Sequence, residues 1–264
     1  MSKLESIILA AGYSSRFNFD DDSYKKYLLP FERSNILNYV IAGMIVAGIH
    51  KINIVVDDNV RQTQISDSCT KFIDKIGIEQ PVLNFIINTF SERENGYSLY
   101  LGIKEVSSKY LILSMVDHIF SENIYLHLIN NFNNRDIVLA TDPMEIEGVY
   151  DLDDCTKIYG KNSKIEKIGK NILDFNRLDM GVFIMKKATI SKISQDVEKH
   201  MDKFGVSDIV ISAINLNLNV TYFDFPNTIW LDVDNHYEYN KLNNLFNSTK
   251  KFHPFNLDFI SDKF

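Results

Sequence analysis

Short apolar runs alternate with helix-like segments through the first half of the chain, and this alternation constrains the fold more than any other feature. Ser6–Ala11 and Ile52–Val56 are apolar runs of the length of buried strands. Between them, apolar residues spaced three and four apart predict a helix that starts after Ser34 as its cap and ends at Gly48. A strand-helix order that repeats in this way predicts an α/β fold with a mixed, mainly parallel sheet and helices on both faces.

The alternation changes in the second half of the chain. Two short strand-like segments, Lys157–Tyr159 and Ile165–Ile168, flank the turn-like run Gly160-Lys161-Asn162 and predict a small inserted hairpin. Further strands are predicted over Gly181–Met185, Val220–Asp224 and Ile229–Val233, and helices over Val206–Leu216 and His236–Phe246. No linker rich in proline, glycine or serine divides the chain, so we predict a single domain over residues 1–247 and a C-terminal tail over 248–264.

The composition excludes several classes of protein. With 264 residues, of which 45% are hydrophobic, the chain is long enough to bury a sizeable core. Its 28 basic and 35 acidic residues give a formal net charge of -7, which argues against a uniformly basic nucleic-acid binder. Cys69 and Cys155 are too few for a disulfide framework or a cysteine-rich zinc site, and they fit a reducing cytoplasm. Ile7–Ala11 is too short for a signal peptide and Ile36–Ile49 too short for a membrane span, so we expect a cytoplasmic protein without membrane insertion.

The first predicted strand runs into a loop of small residues that suits phosphate binding. Ala10, Ala11 and Gly12 let backbone N–H groups approach a phosphate closely. Arg16 can then contact the phosphate with its planar set of donors, and Lys26 can place a point charge on the same group. A turn followed by a solvated basic pair is the simpler interpretation of these residues when each is taken alone.

An aspartate follows another predicted strand. The strand covers Tyr110–Met115, and Asp117 comes two residues after its end. Ligands of open α/β sheets bind beyond the carboxyl ends of strands, so this carboxylate is well placed to hold Mg²⁺ against phosphate oxygens. A helix cap or a turn aspartate is the alternative interpretation of this segment.

Taken together, the loop and the lysine resemble the signature of the sugar-nucleotide type nucleotidyltransferases, which carry a Leu-Ala-Ala-Gly-x-Gly-x-Arg loop followed by Lys-x-Leu-Leu-Pro. The matching residues are Leu9, Ala10, Ala11, Gly12, Arg16, Lys26, Leu28, Leu29 and Pro30. Ser14 replaces the second glycine. The resemblance implies a three-layer, Rossmann-like nucleotide-diphospho-sugar transferase fold. In that fold the loop from Leu9 to Ser15 wraps a nucleoside triphosphate, while Arg16 and Lys26 neutralise the departing pyrophosphate.

Several later segments resemble one subgroup, the inositol-phosphate cytidylyltransferases. They are Glu94–Leu99, Asp117–Phe120, Asp153–Ile158, Ile168–Lys170, Asp179–Phe183 and Trp230–Asp234. The resemblance implies that Asp117 and Asp232 hold Mg²⁺, and Asp234 is the alternative to Asp232 as the second ligand. His118 is either a nucleotide contact or a structural neighbour. The same resemblance places Asn88, Asn95, Gly96 and Ser98 near the cytosine, and Lys157, Lys170 and Asp179 at the acceptor.

The expected activity is that of a Mg²⁺-dependent cytidylyltransferase, which transfers CMP from CTP to a small phosphorylated or phosphonate acceptor and releases pyrophosphate. Inositol phosphate is the nearest resemblance for the acceptor, and phosphocholine, aminoethylphosphonate and glycerol phosphate stay open. The alternatives are a sugar-1-phosphate nucleotidyltransferase that uses another nucleotide, a glycosyltransferase of similar fold, and a nucleotide-sensing subunit without turnover. The expected partners are CTP and the acceptor, with a homodimer left open and no nucleic acid.

Overall fold

The computed structural model describes residues 4–12, 15–17, 25–32, 34–58, 60–144 and 152–249. Within those ranges the strands are β1 (Glu5–Leu9), β2 (Pro30–Phe31), β3 (Ser34–Asn35), β4 (Lys51–Val56), β5 (Val82–Ile87), β6 (Tyr110–Met115), β7 (His118–Phe120), β8 (Ile137–Asp142), β9 (Lys157–Lys161), β10 (Lys164–Gly169), β11 (Arg177–Lys186), β12 (Val220–Asp224) and β13 (Trp230–Asp232). The α-helices of the same ranges are α1 (Ile36–Val46), α2 (Val60–Ile76), α3 (Glu94–Glu105), α4 (Ile124–Asn130), α5 (Lys187–His200), α6 (Val206–Asn215) and α7 (His236–Thr249). Short 3₁₀-helices lie at Ser15–Phe17, Lys26–Leu28 and Ser91–Arg93.

One mixed sheet forms the centre of the described part of the chain. Nine strands pair in the order β5-β4-β1-β6-β11-β8-β12-β10-β9. β5, β4, β1 and β6 are parallel to one another, and β12 is parallel to β8. β11 lies between β6 and β8 and is antiparallel to both. The predicted α/β class with a mixed, mainly parallel sheet is confirmed, and the carboxyl ends of β1, β4 and β6 meet at one edge.

Helices cover both faces of the sheet and make three layers. Side chains alternate along β1, so that Ile8 packs into the core on one face while Ile7 and Leu9 pack into the core on the other. Apolar side chains of α1, α2 and α4 belong to the first core, and those of α3, α5 and α6 to the second. Because β1 is buried on both faces, its sequence is a continuous apolar run rather than an alternating one.

Two helical features differ from the sequence-based expectation. Asn35, not Ser34, caps α1, because its side chain accepts a hydrogen bond from the Asn38 N–H over 2.9 Å. Helix α5 was not predicted, although Ile190, Ile193 and Val197 are buried and spaced as one face of a helix. The other residues of α5 are mostly polar, so its apolar stripe is too narrow to stand out in the sequence.

The inserted hairpin is present as β9 and β10, but its turn begins two residues later than predicted. Gly160 is inside β9, opposite Ile165, and the turn is made by Asn162 and Ser163. Both turn residues have positive φ, 51° and 62°, which matches the backbone twist of tight hairpins. The hairpin extends the edge of the main sheet through β12 and also contacts β11.

The remaining predictions concern the C-terminal tail and membrane-spanning helices. α7 continues to Thr249, and the predicted tail beyond it lies outside the described residues. Among the helices that are described, none combines the length and the apolar character needed to cross a bilayer.

Candidate active site

A cavity of about 640 Å³ opens at the carboxyl ends of β1 and β6. In open α/β sheets this edge holds ligands, because the loops that leave the strands form a crevice there. The start of α3, the middle of β11, β13 and the start of α7 complete the walls. The residues chosen from the sequence that line the cavity are Leu9, Ala11, Gly12, Lys26, Asn95, Ser98, Asp117, His118, Lys170, Asp179, Asp232 and Asp234. Ala10, Arg16, Asn88, Gly96 and Lys157 are not among the lining residues.

A two-stranded ribbon brings the two predicted metal ligands together. β7 pairs with β13 so that His118 lies opposite Asp232, and the Val233 N–H donates to the Asp117 carbonyl over 3.0 Å. Asp117, His118 and Asp232 each contribute one potential ligand atom, and these three atoms lie within 4.8 Å of one another. Asp232 Oδ1 is buried and has no hydrogen-bond partner in the described part of the chain. A buried carboxylate oxygen without a partner, beside a second carboxylate, fits a divalent cation such as Mg²⁺.

The two carboxyl groups differ in their affinity for a proton. Burial raises the pKa of Asp232 to about 8, and the negative charge of Asp117 adds to this effect. Burial also acts to raise the pKa of Asp117, but the charge of Lys26 and the hydrogen bond from His118 outweigh it and hold that pKa well below its usual range. Asp232 therefore ionises fully near neutral pH only beside an added positive charge, and a divalent cation supplies one.

The raised pKa of Asp232 predicts a pH-dependent cost in stability for the metal-free protein. The carboxyl keeps its proton in the folded state up to about pH 8 but loses it in the unfolded state near its ordinary pKa, so the free energy of unfolding falls as the pH rises between these values. Asp232→Asn removes this titration. Its melting temperature, measured with a chelator present, is expected to exceed that of the wild type by a few degrees near pH 8 and by little near pH 4. A difference that stays constant with pH would contradict the assignment.

His118 supports Asp117 from the side. Its Nδ1 atom lies 2.9 Å from Asp117 Oδ1, and its ring stacks on Trp230 with 5.5 Å between the centroids and 8° between the planes. Burial would lower the pKa of His118, but the charge of Asp232 and the hydrogen bond with Asp117 outweigh it and raise the pKa to about 9. A protonated, stacked imidazole is a poor general base at neutral pH. Of the two roles left open for His118, its position favours the structural one.

Lys26 and Arg16, the two side chains predicted to bind pyrophosphate, both form ion pairs with carboxylates. Lys26 Nζ lies 2.5 Å from Asp117 Oδ2 and also pairs with Asp234. Arg16 lies 2.8 Å from Asp234 and pairs through both terminal guanidinium nitrogens with Asp154. Burial would lower the pKa of Lys26, but the surrounding carboxylates raise it above its usual range. Asp234 thus contacts the cations, whereas Asp232 belongs to the cluster of ligand atoms around Asp117.

The first loop is anchored where it leaves β1. The Ala10 N–H donates to the Val55 carbonyl over 2.8 Å, and the Ala10 side chain is buried in the core. Ala11 and Gly12 line the cavity, and Gly12 is exposed. The predicted nucleotide contacts of Ser14 and of the Ser15 side chain lie outside the described residues.

A bulge in β11 presents Asp179 at the cavity. The pairing of β11 with β8 shifts register between Asp179 and Phe183, and Gly181 within this bulge has a φ of 72°. The Gly181 N–H donates to Asp179 Oδ1 over 2.8 Å. A Cβ atom at position 181 would lie 2.9 Å from Met115 Cγ and 3.0 Å from His118 Nε2, so the bulge requires glycine. Burial raises the pKa of Asp179 to about 6.

The two predicted acceptor lysines occupy different positions. Lys170 lines the cavity, and its Nζ atom lies 2.8 Å from Asp154 Oδ1. Lys157 Nζ instead donates to the Lys170 carbonyl oxygen over 2.8 Å and is not among the cavity-lining residues. The fold therefore brings Lys170 to the site and places Lys157 behind it, where it fixes the segment that carries Lys170.

The four predicted base-binding residues divide in a similar way. Asn95 and Ser98 line the cavity, whereas Asn88 is fully buried and donates to Ser98 Oγ over 2.9 Å. Gly96 faces the backbone before α6, and a Cβ atom there would lie 2.5 Å from the Phe204 carbonyl oxygen. This close approach of two backbone segments accounts for glycine at position 96 without a nucleotide.

Several residues of the site had no assigned role from the sequence. The start of α7 contributes Asn235, Tyr237, Glu238 and Lys241 to the wall. Asp154 connects Arg16, 138 positions away in sequence, with Lys170. It belongs to the acidic segment that carries part of the family resemblance, so the sequence marked the segment, but only the fold shows what Asp154 contacts.

Comparison with known proteins agrees with this architecture. A family model described as a MobA-like NTP transferase domain matches residues 6–159. The chain is 26% identical over 230 residues to the "Bifunctional IPC transferase and DIPP synthase" of Thermococcus kodakarensis, and 24% identical over 230 residues to the protein of the same name from Aquifex aeolicus. Each alignment covers 87% of this chain but only 47% and 48% of the two relatives, so the chain spans about half the length of the curated relatives it matches.

Solved structures show the same fold. The inositol-1-phosphate CTP transferase from T. maritima superimposes with a TM-score of 0.74 at 22% identity, covering 94% of this chain and 98% of that one. A putative glucose-1-phosphate thymidylyltransferase from Bacillus anthracis gives a TM-score of 0.76 at 18% identity with the same coverage. These likenesses confirm that the chain has the predicted nucleotidyltransferase fold.

Proposed function

Because the chain belongs to the family of MobA-like NTP transferase domains, we propose that it is a Mg²⁺-dependent cytidylyltransferase, which transfers CMP from CTP to a small phosphorylated or phosphonate acceptor. The single observation that carries the proposal is the acid pair Asp117 and Asp232, which shares one cavity with Lys26. Arg16 is bound to two carboxylates of the cavity wall, Asp154 and Asp234. The choice of CTP is supported by the family resemblance and by the likeness to the solved inositol-1-phosphate CTP transferase.

The proposed reaction is in-line attack by an acceptor oxygen on the α-phosphorus of CTP. A phosphate or phosphonate oxygen is already ionised at neutral pH, so the chain needs no general base. This agrees with the position of His118, whose Nδ1 atom faces Asp117 and whose ring stacks on Trp230. The main task of the protein is then to bring two polyanions together and to stabilise the charge that moves onto the leaving group.

The cations of the site supply that stabilisation. Lys26 and Arg16 neutralise pyrophosphate as the bond to the α-phosphorus breaks. To do so they exchange some of their present carboxylate partners, Asp154 and Asp234, for phosphate oxygens. A guanidinium that binds a carboxylate through two nitrogens can bind a phosphate in the same way, because both anions present two oxygens at a similar spacing.

The proposed Mg²⁺ site consists of Asp117 and Asp232. The buried, unpartnered Oδ1 atom of Asp232 and the adjacent Asp117 carboxylate are hard oxygen donors of the kind that Mg²⁺ prefers. The chemistry that the ion supplies when bound is charge screening and Lewis-acid polarisation of phosphate oxygens. Asp117 is already ionised through its contact with Lys26, and Asp232 gives up its proton on binding.

The test is an assay with a panel of nucleotides and acceptors. The purified protein is given Mg²⁺ and CTP, UTP, GTP or TTP, each with inositol phosphate, phosphocholine, aminoethylphosphonate, glycerol phosphate or glucose 1-phosphate. Pyrophosphate release and the mass of the product are measured. A CDP-linked product with one acceptor is the expected result. Preference for another nucleotide would favour the sugar-1-phosphate alternative, and binding of nucleotide without any pyrophosphate release would favour a nucleotide-sensing subunit.

The two lysines near the hairpin provide a matched pair for locating the acceptor. Lys170→Ala removes the ammonium group at the cavity and is expected to raise the KM for the acceptor roughly tenfold, while the KM for CTP changes little. Lys157→Ala removes a hydrogen bond behind the site and is expected to have the smaller effect. Both constants are measured by titrating one substrate while the other is saturating. A rise in the KM for CTP alone would show that Lys170 belongs to the nucleotide-binding part of the site.

A further inference from the structure

We propose that Asn88 selects the nucleobase without touching it, because it fixes the hydroxyl group of Ser98 as a hydrogen-bond donor toward the cavity. The inference rests on the proposed cytidylyl transfer and adds to it a means of telling cytosine from uracil. It gives Asn88 the role of a positioning residue, and Ser98 that of the residue in contact with the base.

The orientation of the Asn88 amide is set by the backbone. The Phe90 N–H donates to Asn88 Oδ1 over 2.9 Å, so this oxygen is the acceptor of the pair. The amide nitrogen Nδ2 must then be the atom that lies 2.9 Å from Ser98 Oγ. Asn88 is 0% exposed, and its backbone N–H donates to the Val56 carbonyl over 2.7 Å. The side chain is therefore held in one orientation at the end of β5.

The orientation of Asn88 determines what Ser98 can offer to a ligand. An amide NH₂ group only donates, so Ser98 Oγ accepts from Asn88 and its own proton is directed elsewhere. In the described part of the chain no group accepts that proton, and Ser98 lines the cavity. A buried hydroxyl group is stabilised when its proton forms a hydrogen bond, so a ligand that places an acceptor atom at this point is favoured.

Asn95 is oriented by the same kind of contact. The Val206 N–H, at the start of α6, donates to Asn95 Oδ1 over 2.8 Å. The Asn95 Nδ2 atom therefore faces away from that helix, where it lies 3.9 Å from Met115 Sδ at the cavity wall. Backbone N–H groups, acting directly on Asn95 and through the Asn88 amide on Ser98, thus orient the donors of these two α3 side chains toward the cavity.

Two donors side by side match one pyrimidine edge better than the other. Cytosine presents two adjacent acceptors, its ring N3 and its O2. Uracil has the same O2, but its N3 carries a hydrogen and is a donor. A donor of the protein that faces N3 would therefore form a hydrogen bond with cytosine and leave two opposed donors with uracil, a buried mismatch that costs affinity.

The inference is tested with a variant in which Ser98 presents an acceptor rather than a donor to the cavity. In Asn88→Asp, one carboxylate oxygen still accepts from the Phe90 N–H, while the other accepts the Ser98 proton and turns the Ser98 lone pairs toward the cavity. The dissociation constants of CTP and UTP are measured by calorimetry with Mg²⁺ and without acceptor. We expect the ratio that favours CTP in the wild type to shift toward UTP by about tenfold or more. An unchanged ratio in a folded variant would overturn the inference.

A second variant keeps the test decisive if a buried carboxylate prevents folding. Ser98→Ala removes the donor itself and is expected to weaken CTP binding about five- to tenfold while UTP binding changes little. Ser191→Ala, on α5 and not at the cavity, is the matched control and is expected to leave both dissociation constants unchanged. Equal losses for CTP and UTP in Ser98→Ala would show a merely structural role.

Failure of the inference can be told apart from failure of the proposed function. A wild-type protein that binds CTP and UTP equally well would overturn the inference whatever reaction it catalyses. A protein that prefers CTP, shows the expected shift in Asn88→Asp and yet releases no pyrophosphate with any acceptor would support the inference and count against cytidylyl transfer.

Discussion

Asp117→Asn is expected to lower kcat by about a thousandfold, because it removes a charge that acts on both Mg²⁺ and Lys26. The amide keeps the size of the side chain, so the ribbon formed by β7 and β13 is preserved, and the backbone contact between Asp117 and Val233 is unaffected. Pyrophosphate release is measured at saturating CTP over a range of Mg²⁺ concentrations, and circular dichroism verifies the fold.

The control for Asp117→Asn is Asp174→Asn, an exposed carboxyl group that does not line the cavity. It is expected to leave the rate and the Mg²⁺ dependence unchanged. If Asp117→Asn keeps a rate within about tenfold of the wild type and an unchanged Mg²⁺ dependence, the acid pair does not hold the catalytic metal.

Lys26→Ala is expected to lower kcat about a hundredfold while the KM for CTP changes by much less, since the charge on pyrophosphate grows as it leaves. The substitution also leaves Asp117 and Asp234 without the cation between them. Removing one partner of a buried ion pair costs about 3 kcal/mol in the free energy of unfolding. Steady-state kinetics and urea unfolding measure the two effects on the same preparation.

Added Mg²⁺ separates these two effects of Lys26→Ala. A divalent cation at Asp117 and Asp232 restores positive charge beside the carboxylates and is expected to recover part of the lost stability, but not the rate. Lys203→Ala, an exposed lysine away from the cavity, is the control. A variant that loses CTP affinity and keeps its kcat would mark Lys26 as a simple binding residue.

Much of the fold could be predicted because its central strands are buried on both faces. β1, β4 and β6 are continuous apolar runs, and such runs are visible without knowledge of their partners. Helix α5 was missed because only a narrow stripe of it is apolar, and the cap of α1 was shifted by one residue because Ser34 and Asn35 are both good caps. The antiparallel placement of β11 could not be predicted, since strand order depends on packing between distant segments.

The candidate site was predicted as a set of residue types rather than as a set of contacts. Asp117 and Asp232 follow from motifs, and the fold brings them together. Lys157 and Asn88 were expected to contact substrates, but they lie behind the residues that line the cavity. A match to a motif marks a supporting residue and the residue it supports in the same way, so the sequence alone does not distinguish the two.

The position of β11 has a consequence for how the chain is made. β11 fills the gap between β6 and β8 although it follows both in the sequence. During synthesis, β8 is complete at Asp142, whereas β11 is complete only at Lys186, a delay of a few seconds at ~5–20 residues per second. Throughout that interval β6 and β8 present unpaired backbone edges that can pair with another chain. The nascent protein therefore passes through a period of aggregation risk whose length is set by the rate of synthesis.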